Sequence, residues 1–287
     1  METKDNFLIS VDFSKQDYSL IEAASLMTEI YKPSKFQLIN VKGKNIPSSI
    51  LMEELVRIEK DFDSKAEFDF DVLEGDPKTE IYNKSIQDKP KLVIVGKKQA
   101  NSNESRIAEY LTEKGASDVL VVPPTPKFNI DTVLFTGDFS RHSEVAFQRA
   151  VRIARKKGAA LIFMHVYDVP AGHTRLNISY RQFARTMKQH AENRLKIFLK
   201  KNHTKGVKII PHLVEKGNSS KANLILRESK KLGADMIVVG ARGRTNMAHL
   251  VLGSTTKGLV KGNEYAYVLA VKSQGTPMSL MDAISHI

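Results

Sequence analysis

The feature that most constrains this chain is an internal repeat. FLISVDFS at 7–14 matches VLFTGDFS at 133–140, and in both segments an apolar run ends in Asp-Phe-Ser. Two more pairs follow in the same order: KLVIVG at 91–96 with DMIVVG at 235–240, and DVLVV at 118–122 with YVLAV at 267–271. Self-similarity at a fixed spacing is the signature of duplication, so we expect two similar domains.

The boundary between the two copies is predicted at PPTPKFNID, residues 123–131. Its three prolines cannot continue a helix or a central strand. The chain therefore divides into a first domain over 1–124 and a second over 130–287.

The apolar runs are short and rich in Val and Ile, which is typical of strands buried on both faces. Helical patterns lie between them: Ser140 can cap a helix over 141–157, NSS at 218–220 can cap one that ends before Gly233, and Thr174 to Lys201 forms a longer amphipathic pattern. Strands that alternate with helices form crossover units and a parallel sheet. The predicted fold class is α/β, with two doubly wound, Rossmann-like domains, each a five-stranded parallel sheet flanked by helices.

One strand of the first copy should differ from the others. EFDFDVLEG at 67–75 alternates apolar and acidic residues, which predicts an edge strand with one wet face. The acidic run around it is not a calcium loop, because Ala66 and Val72 stand where a glycine and a glutamate are required.

The composition limits the kind of protein. The sequence has no cysteine, which excludes disulfides, thiolate zinc sites and cysteine nucleophiles. It has no apolar run near the ~18 residues of a membrane span, and METKDNFLISVDFS lacks a signal-peptide pattern. We therefore expect a soluble, cytoplasmic protein without membrane contact.

Charge is distributed unevenly between the copies. Residues 1–127 contain 18 Lys and Arg against 22 Asp and Glu, whereas residues 128–287 contain 26 against 10. This asymmetry indicates either an anionic partner for the second copy or a solvated basic surface. Tryptophan is absent and the basic residues are not interleaved with aromatic ones, which argues against nucleic acid as the partner.

A glycine-rich segment after one apolar run is the main candidate site. Gly240 ends a predicted strand, Gly243 follows, and Gly253-Ser254-Thr255-Thr256 would open the next helix. Ligands of doubly wound sheets bind at the carboxyl ends of strands, and a helix N-terminus with nearby glycines favours phosphate. The spacing is neither that of a P-loop nor that of a dinucleotide fingerprint, so an ordinary strand-to-loop turn is the alternative.

The order V-G-x-x-G, nine residues, G-S-T resembles the nucleotide loop of the universal stress protein family. TGDFS at 136–140 is similar to the family's first-strand motif, LIFMHV at 161–166 to its second strand and VLAVK at 268–272 to its last. The resemblance extends over essentially the whole chain and implies a tandem member with two family domains.

The resemblance also implies residue roles. Thr136, Gly137 and Asp138 would meet the adenine end, and Val166 would contact the base. The loop would hold the phosphates, and its matching residues are Val239, Gly240, Gly243, Gly253, Ser254, Thr255 and Thr256. Arg242 and Arg244 lie inside this loop and either grip phosphate or point to solvent.

The first copy departs from the family pattern. Gln99 stands where the second glycine belongs, and no Gly-Ser pair opens a helix in GKKQANSNESRIAEYL. Asp12 is retained, but without a phosphate cradle it serves as a strand-end cap. We therefore expect one nucleotide per chain, bound by the second copy.

No catalytic apparatus or metal site is evident in the sequence. His165 is interpreted as a hydrogen-bonded structural residue, and no H-E-x-x-H or G-x-S-x-G motif occurs. The resemblance implies a stress-response regulator that binds ATP, or ADP or AMP, with Mg²⁺ and at most slow hydrolysis. A nucleotide-independent adaptor for a protein partner and an ATP-using enzyme of the same fold are the alternatives.

The two domains are expected to pack against each other as the subunits of a family dimer do. The predicted contact is hydrophobic and involves the terminal strands VLVV and VLAVK. Pairing of whole chains into a homodimer is left open.

Overall fold

The computed structural model describes residues 6–42, 67–97, 105–170, 179–241 and 253–272, together with Glu53 and Val56. Its strands are β1 Asn6–Ser10, β2 Lys35–Lys42, β3 Glu67–Glu74, β4 Leu92–Gly96, β5 Asp118–Val122, β6 Thr132–Thr136, β7 Ala160–Tyr167, β8 Ile209–Glu215, β9 Met236–Gly240 and β10 Tyr267–Val271. Its helices are α1 Asp17–Tyr31, α2 Pro77–Asp88, α3 Ser105–Lys114, α4 Arg141–Lys157, α5 Tyr180–Lys201, α6 Lys221–Lys231 and α7 Ser254–Gly262.

The strands form one continuous sheet in the order β3-β2-β1-β4-β5-β10-β9-β6-β7-β8. Within β1–β5, which we call the first half, every pairing is parallel, and the same holds within β6–β10, the second half. The order within each half is that of a doubly wound domain, as the alternating pattern predicted. The segment 123–131 lies between β5 and β6 and contains no helix or strand.

The core has two layers, one on each face of the sheet. One cluster joins side chains of α1, α4 and α5 to one face, and a second joins α2, α3, α6 and α7 to the other. Successive strand residues alternate between the layers: Met236 and Val238 belong to the first cluster, and Ile237 and Val239 to the second. Among the described residues, no helix combines the length and the apolar character needed to cross a bilayer.

The edge position of the acidic strand is confirmed, because β3 lies at one end of the sheet. Phe68 and Phe70 pack against the core, while the alternate residues Asp69 and Asp71 form ion pairs. Lys35 Nζ is 2.8 Å from Asp69, and Lys84 Nζ is 2.7 Å from Asp71. The alternation thus separates an apolar face from a charged one.

Two predicted helix starts are confirmed, and one is wrong. Ser140 caps α4 and Ser220 caps α6, each by accepting a hydrogen bond from a backbone N–H three residues on. The helix predicted from Thr174 instead begins at Tyr180, because Ser179 is extended (φ −65°, ψ 147°) and forms a capping box with Gln182. Residues 171–178 lie outside the described residues.

The two halves meet at the terminal strands, as the sequence predicted. β5 and β10 pair antiparallel, with Leu120 opposite Leu269, and both side chains are fully buried. Behind this seam, buried Asp118 accepts a hydrogen bond from Tyr31 Oη at 2.6 Å and lies 3.4 Å from Arg149 Nη2. Tyr31 belongs to the first half and Arg149 to the second, so apolar and polar contacts both join the halves.

Candidate functional site

The candidate site is a cleft of about 920 Å³ at the carboxyl ends of β6, β7 and β9. The chain leaves β6 toward β7 on one side and returns to β9 on the other, so the strand order reverses here. Such a reversal leaves a crevice between the diverging connections, which is where doubly wound folds bind ligands. The cleft is lined by ten predicted site residues, namely Thr136, Gly137, Asp138, Val166, Val239, Gly240, Gly253, Ser254, Thr255 and Thr256.

Asp138 is fixed at the floor of this cleft by its own turn. Its Oδ1 accepts hydrogen bonds from Ser143 Oγ at 2.6 Å and from the Ser140 N–H at 3.1 Å. Its backbone N–H donates to Ser143 Oγ at 3.2 Å. Gly137 is required beside it, because a Cβ there would come within 2.5 Å of the Phe135 ring. The carboxylate is therefore held in one orientation before any ligand arrives.

Contacts of the Phe139 ring support the same turn. Phe139 has a left-handed backbone (φ 64°), and its ring centroid lies 4.3 Å from that of His165. His165 Nδ1 is 2.8 Å from the Gly137 carbonyl oxygen, which can only accept, so Nδ1 donates. Arg194 also lies over the Phe139 ring, with its guanidinium carbon 5.0 Å from the ring centroid. His165 thus has the structural hydrogen bond expected from the sequence.

The N-terminus of α7 lines the cleft. Its N-cap residue is Gly253, and no side chain caps it among the residues that the structure describes. The other three helices of the second half are each capped by a serine, at Ser140, Ser179 and Ser220. The first N–H groups of a helix have no intrahelical partner and carry the positive end of its dipole. This end of α7 is therefore suited to an anion.

The hydroxyl-bearing residues at this end have different positions. Ser254 is exposed and Thr255 is half-buried, whereas Thr256 is buried. Thr256 Oγ1 donates to the Gly240 carbonyl oxygen at 2.9 Å. The hydroxyl hydrogen of Thr256 is therefore engaged in a hydrogen bond within the protein. This bond connects the start of α7 to the end of β9.

The glycine-rich loop itself is only partly described. Arg242, Gly243 and Arg244 lie outside the described residues. The two ends of the loop meet, since the Gly253 N–H donates to the Ala241 carbonyl at 3.3 Å. The loop therefore leaves and rejoins the sheet edge beside the open end of α7.

Several cleft residues were not predicted from the sequence. Ser143 fixes Asp138, and its position one turn after Ser140 was the available signal. Others come from α5, from the β8–α6 connection and from the first turn of α6: Met187, His190, Arg194, Lys216, Lys221 and Asn223. Nothing in their spacing links them to the cleft, because they reach it only through the tertiary fold. Arg194, Lys216 and Lys221 bring basic groups to this side of the cleft, where Lys216 Nζ lies 3.4 Å from Asp168, which also lines it.

The corresponding place in the first half is almost filled. The cavity beside Asp12 measures only about 70 Å³. Gln16 occupies it, with Nε2 donating to the carbonyl of Val122 at 3.2 Å and to that of Pro123 at 3.3 Å. A Cβ on Gly96 would lie 2.5 Å from Gln16 Oε1, so the amide lies directly over the end of β4.

Asp17 takes the place that Ser143 has in the second half. Its carboxylate accepts the N–H of Phe13 at 2.6 Å and that of Asp12 at 3.3 Å. Burial, followed by the negative charge of Asp12, raises the pKa of Asp17 to about 7. The first half thus presents two adjacent carboxyl groups and a filled cavity where the second half presents one carboxylate and a cleft.

Acidic and imidazole groups do not gather into a metal site in the described ranges. No group of three or more His, Cys, Asp or Glu there could hold a metal ion.

Comparison with known proteins identifies relatives for this arrangement. The family model described as the universal stress protein family matches residues 129–263. Universal stress protein MJ0531 of Methanocaldococcus jannaschii is 30% identical over 141 residues, which span 49% of this chain and 81% of the relative. Universal stress protein MJ0577 of the same organism is 25% identical over 166 residues, spanning 50% of this chain and 96% of that protein.

Solved structures share the fold over nearly the whole chain. A functionally unknown protein of Pseudomonas aeruginosa PAO1, PA1789, has a TM-score of 0.68 at 14% identity, covering 94% of this chain and 92% of that one. A universal stress protein of Archaeoglobus fulgidus has a TM-score of 0.63 at 18% identity, covering 94% and 97%. The curated relatives match about half of this chain, whereas these two solved structures match almost all of it, as expected for a tandem arrangement. The chain belongs to the universal stress protein family.

Proposed function

We propose that this protein binds one adenine nucleotide, ATP, in the cleft of the second half and acts as a nucleotide-responsive regulator of the stress response. The observation that carries the proposal is the N-terminus of α7, which has no side-chain cap among the described residues and lines the same cleft as the fixed carboxylate of Asp138. A nucleotide needs an anion seat at one end and directional polar groups at the other. This cleft offers both.

The residue roles implied by the family resemblance fit this arrangement. Asp138, Thr136 and Gly137 would meet the adenosine end, with Val166 against the base. Gly240, Gly253, Ser254 and Thr255 would receive the phosphates at the start of α7, and Thr256 would hold that start in place. Val239 lines the cleft between the two ends.

Mg²⁺ would arrive with the nucleotide and neutralise its phosphate oxygens. Ser143 and Asp138 are engaged with each other in holding the turn. We therefore expect at most slow hydrolysis, and ADP or AMP would use the same contacts for the base and sugar.

The first half is proposed to bind no nucleotide. Gln16 lies over Gly96, the counterpart of Gly240 on the phosphate side, and the paired carboxyl groups of Asp12 and Asp17 stand where the adenosine end would lie. One site per chain follows, in agreement with the negative charge of residues 1–127.

A matched pair of variants tests the proposal. Calorimetry with Mg-ATP should give one site per chain in the wild type. Asp138→Ala should weaken binding about tenfold or more, because a hydrogen bond to a charged group is lost, while Asp12→Ala should leave the affinity unchanged. Two equal sites, or an Asp138→Ala variant that binds as tightly as the wild type, would contradict the proposal.

Two experimental results would favour one of the alternative functions. Turnover well above ~0.1 s⁻¹ would favour an ATP-using enzyme instead, since a median enzyme turns over near 10 s⁻¹. A protein that takes up no nucleotide yet still engages a protein partner would favour the adaptor. A cytoplasmic location, an unidentified protein partner and pairing into a homodimer also remain predictions.

A further inference from the structure

A buried lysine of the first half contacts α7 in the second half. Lys97 directly follows β4 and is only 5% exposed. Its Nζ donates to the carbonyl oxygens of Val260 at 2.9 Å and Lys261 at 2.7 Å. These carbonyls belong to the last turn of α7, and Val260 is 163 positions away along the chain. The contact therefore crosses the seam between the halves.

The chemistry of this contact is that of a helix C-terminal cap. The last four carbonyls of a helix have no intrahelical partner, and a cation near them is favourable for the dipole. Burial lowers the pKa of Lys97, and the nearby carboxylates of Glu109 and Glu264 act in the opposite direction. A buried ammonium without hydrogen-bond acceptors would be costly, so the two carbonyls account for its position.

The helix that Lys97 holds is short and intrinsically weak. α7 has nine residues, two of them glycines, and its N-terminus lacks a side-chain cap in the described structure. Helices of this length depend on tertiary contacts rather than on propensity. The N-terminus of α7 lies about 14 Å from Lys97 by helix geometry. Its position therefore depends on the contacts that hold the C-terminal turn.

We propose that Lys97 is a positioning residue for the phosphate seat, through which the first half sets the nucleotide affinity of the second. It fixes α7 along its axis and places a positive charge at the helix end opposite the phosphates. The inference rests on the proposed function, and it gives the first half a role although its own site is filled.

The chain contains a matched control for this contact. Lys272 follows β10 in the second half, and its Nζ donates to the carbonyl oxygen of Thr112, in the last turn of α3. Lys97 and Lys272 thus make the same kind of cross-seam contact on corresponding helices. Only α7 opens with Gly-Ser-Thr, so only the Lys97 contact should influence nucleotide binding.

The test compares Lys97→Met, Lys97→Arg and Lys272→Met in the full chain. Mg-ATP affinity is measured by calorimetry, and amide hydrogen exchange of α3 and α7 is measured without nucleotide. We expect Lys97→Met to weaken ATP binding about fivefold to tenfold, the effect of one charge at this distance at an effective dielectric of about 20. Lys97→Arg should restore most of the affinity, and Lys272→Met should leave it unchanged.

The exchange measurement separates this inference from the proposed function. Lys97→Met should accelerate exchange in α7 and Lys272→Met in α3, whether or not ATP binds. If the wild type takes up no ATP, the proposed function fails, and unchanged exchange in α7 of Lys97→Met would overturn the positioning role as well. Equal losses of ATP affinity in Lys97→Met and Lys272→Met would also overturn the inference, because they would reduce it to a general loss of stability.

Discussion

Single residues decide which half keeps an open site. Ser143 Oγ donates a hydrogen bond to Asp138, so this turn of the second half contains a single carboxylate, which is held by neutral hydrogen-bond donors. Asp17 at the matching position brings a second carboxyl group toward Asp12, and the pair must share a proton to approach closely. Both halves have the same turn, with a left-handed backbone at Phe13 or Phe139. In the second half the turn holds the single carboxylate of Asp138, and in the first half it holds the carboxyl pair of Asp12 and Asp17.

The raised pKa of Asp17 predicts a pH-dependent stability. The pKa of Asp17 is raised to about 7 in the folded chain from its ordinary value of 3.8, so the folded state binds more protons between these values. The contribution of Asp17 is therefore complete below about pH 4 and is lost as the pH rises through about 7, up to about 4 kcal/mol in all.

Asp17→Ser should remove this dependence, because a serine can donate to Asp12 as Ser143 does to Asp138. Urea unfolding at pH 5 and pH 7.5 measures it, and the variant should gain stability relative to the wild type at the higher pH. Parallel pH profiles for both proteins would show that Asp17 does not titrate in this range.

Ser254 provides a residue-level test of the anion seat. It is exposed and is the first residue of α7. A carboxylate there should stabilise the helix by about 0.3–1 kcal/mol through the dipole, yet repel phosphate. We expect Ser254→Glu to lower ATP affinity about tenfold or more without lowering the free energy of unfolding. Ser254→Gln, which introduces a neutral side chain of the same size as Glu, should retain ATP binding. A Ser254→Glu variant with normal ATP affinity would mean that the phosphates bind elsewhere.

At the scale of elements, the strands were predictable because burial on both faces demands the Val- and Ile-rich runs that mark them. Helix starts were predictable where one serine precedes a clear amphipathic pattern, as at Ser140 and Ser220. The start of α5 was not, because this helix buries only Ala191, Leu195 and Phe198 and its polar N-terminal turns carry no periodic signal. Ser179 and Gln182, a capping box, were the signal that would have placed it.

The packing of α7 against α6 gives a prediction for an element. A Cβ on Gly258 would lie 2.4 Å from the Cβ of Ala222, so the two helices would have to separate. Gly258→Ala should therefore cost about 1–3 kcal/mol of stability and weaken ATP binding by displacing α7. At Gly262 the added Cβ meets only Leu226 Cδ1, at 2.7 Å, the end of a flexible side chain.

Gly262→Ala is accordingly the control for overpacking in α7. Its gain in helix propensity, about 0.5–1 kcal/mol, should offset the movement of Leu226. Denaturant unfolding and calorimetry on both variants check this pair. Similar behaviour of the two would mean that the Gly258–Ala222 contact does not set the position of α7.

At the scale of the whole molecule, the repeat predicted the pairing of the terminal strands, but not the contacts that reinforce it. Tyr31, Asp118 and Arg149 are too far apart in sequence for spacing to connect them, and Gln16 gave no sign that it fills the first cavity. Gln16 bonds within the first half. The contact of Arg149 with Asp118 instead depends on the antiparallel seam, which brings the carboxyl edge of one half beside the amino edge of the other. Sequence patterns within each copy cannot encode that juxtaposition.

The continuous sheet predicts that both halves unfold together. The seam buries Leu120, Leu269 and the Asp118 carboxylate, and separating the halves would expose apolar surface and leave Arg149 without its buried partner. Thermal unfolding followed by calorimetry should therefore show a single transition. Because a ligand that binds only the folded state stabilises it by about 2.7 kcal/mol at 100 times its Kd, Mg-ATP should move that whole transition to higher temperature. Two transitions, with only one moved by ATP, would mean that the halves are energetically independent and that the seam does not transmit the stability gained at the cleft.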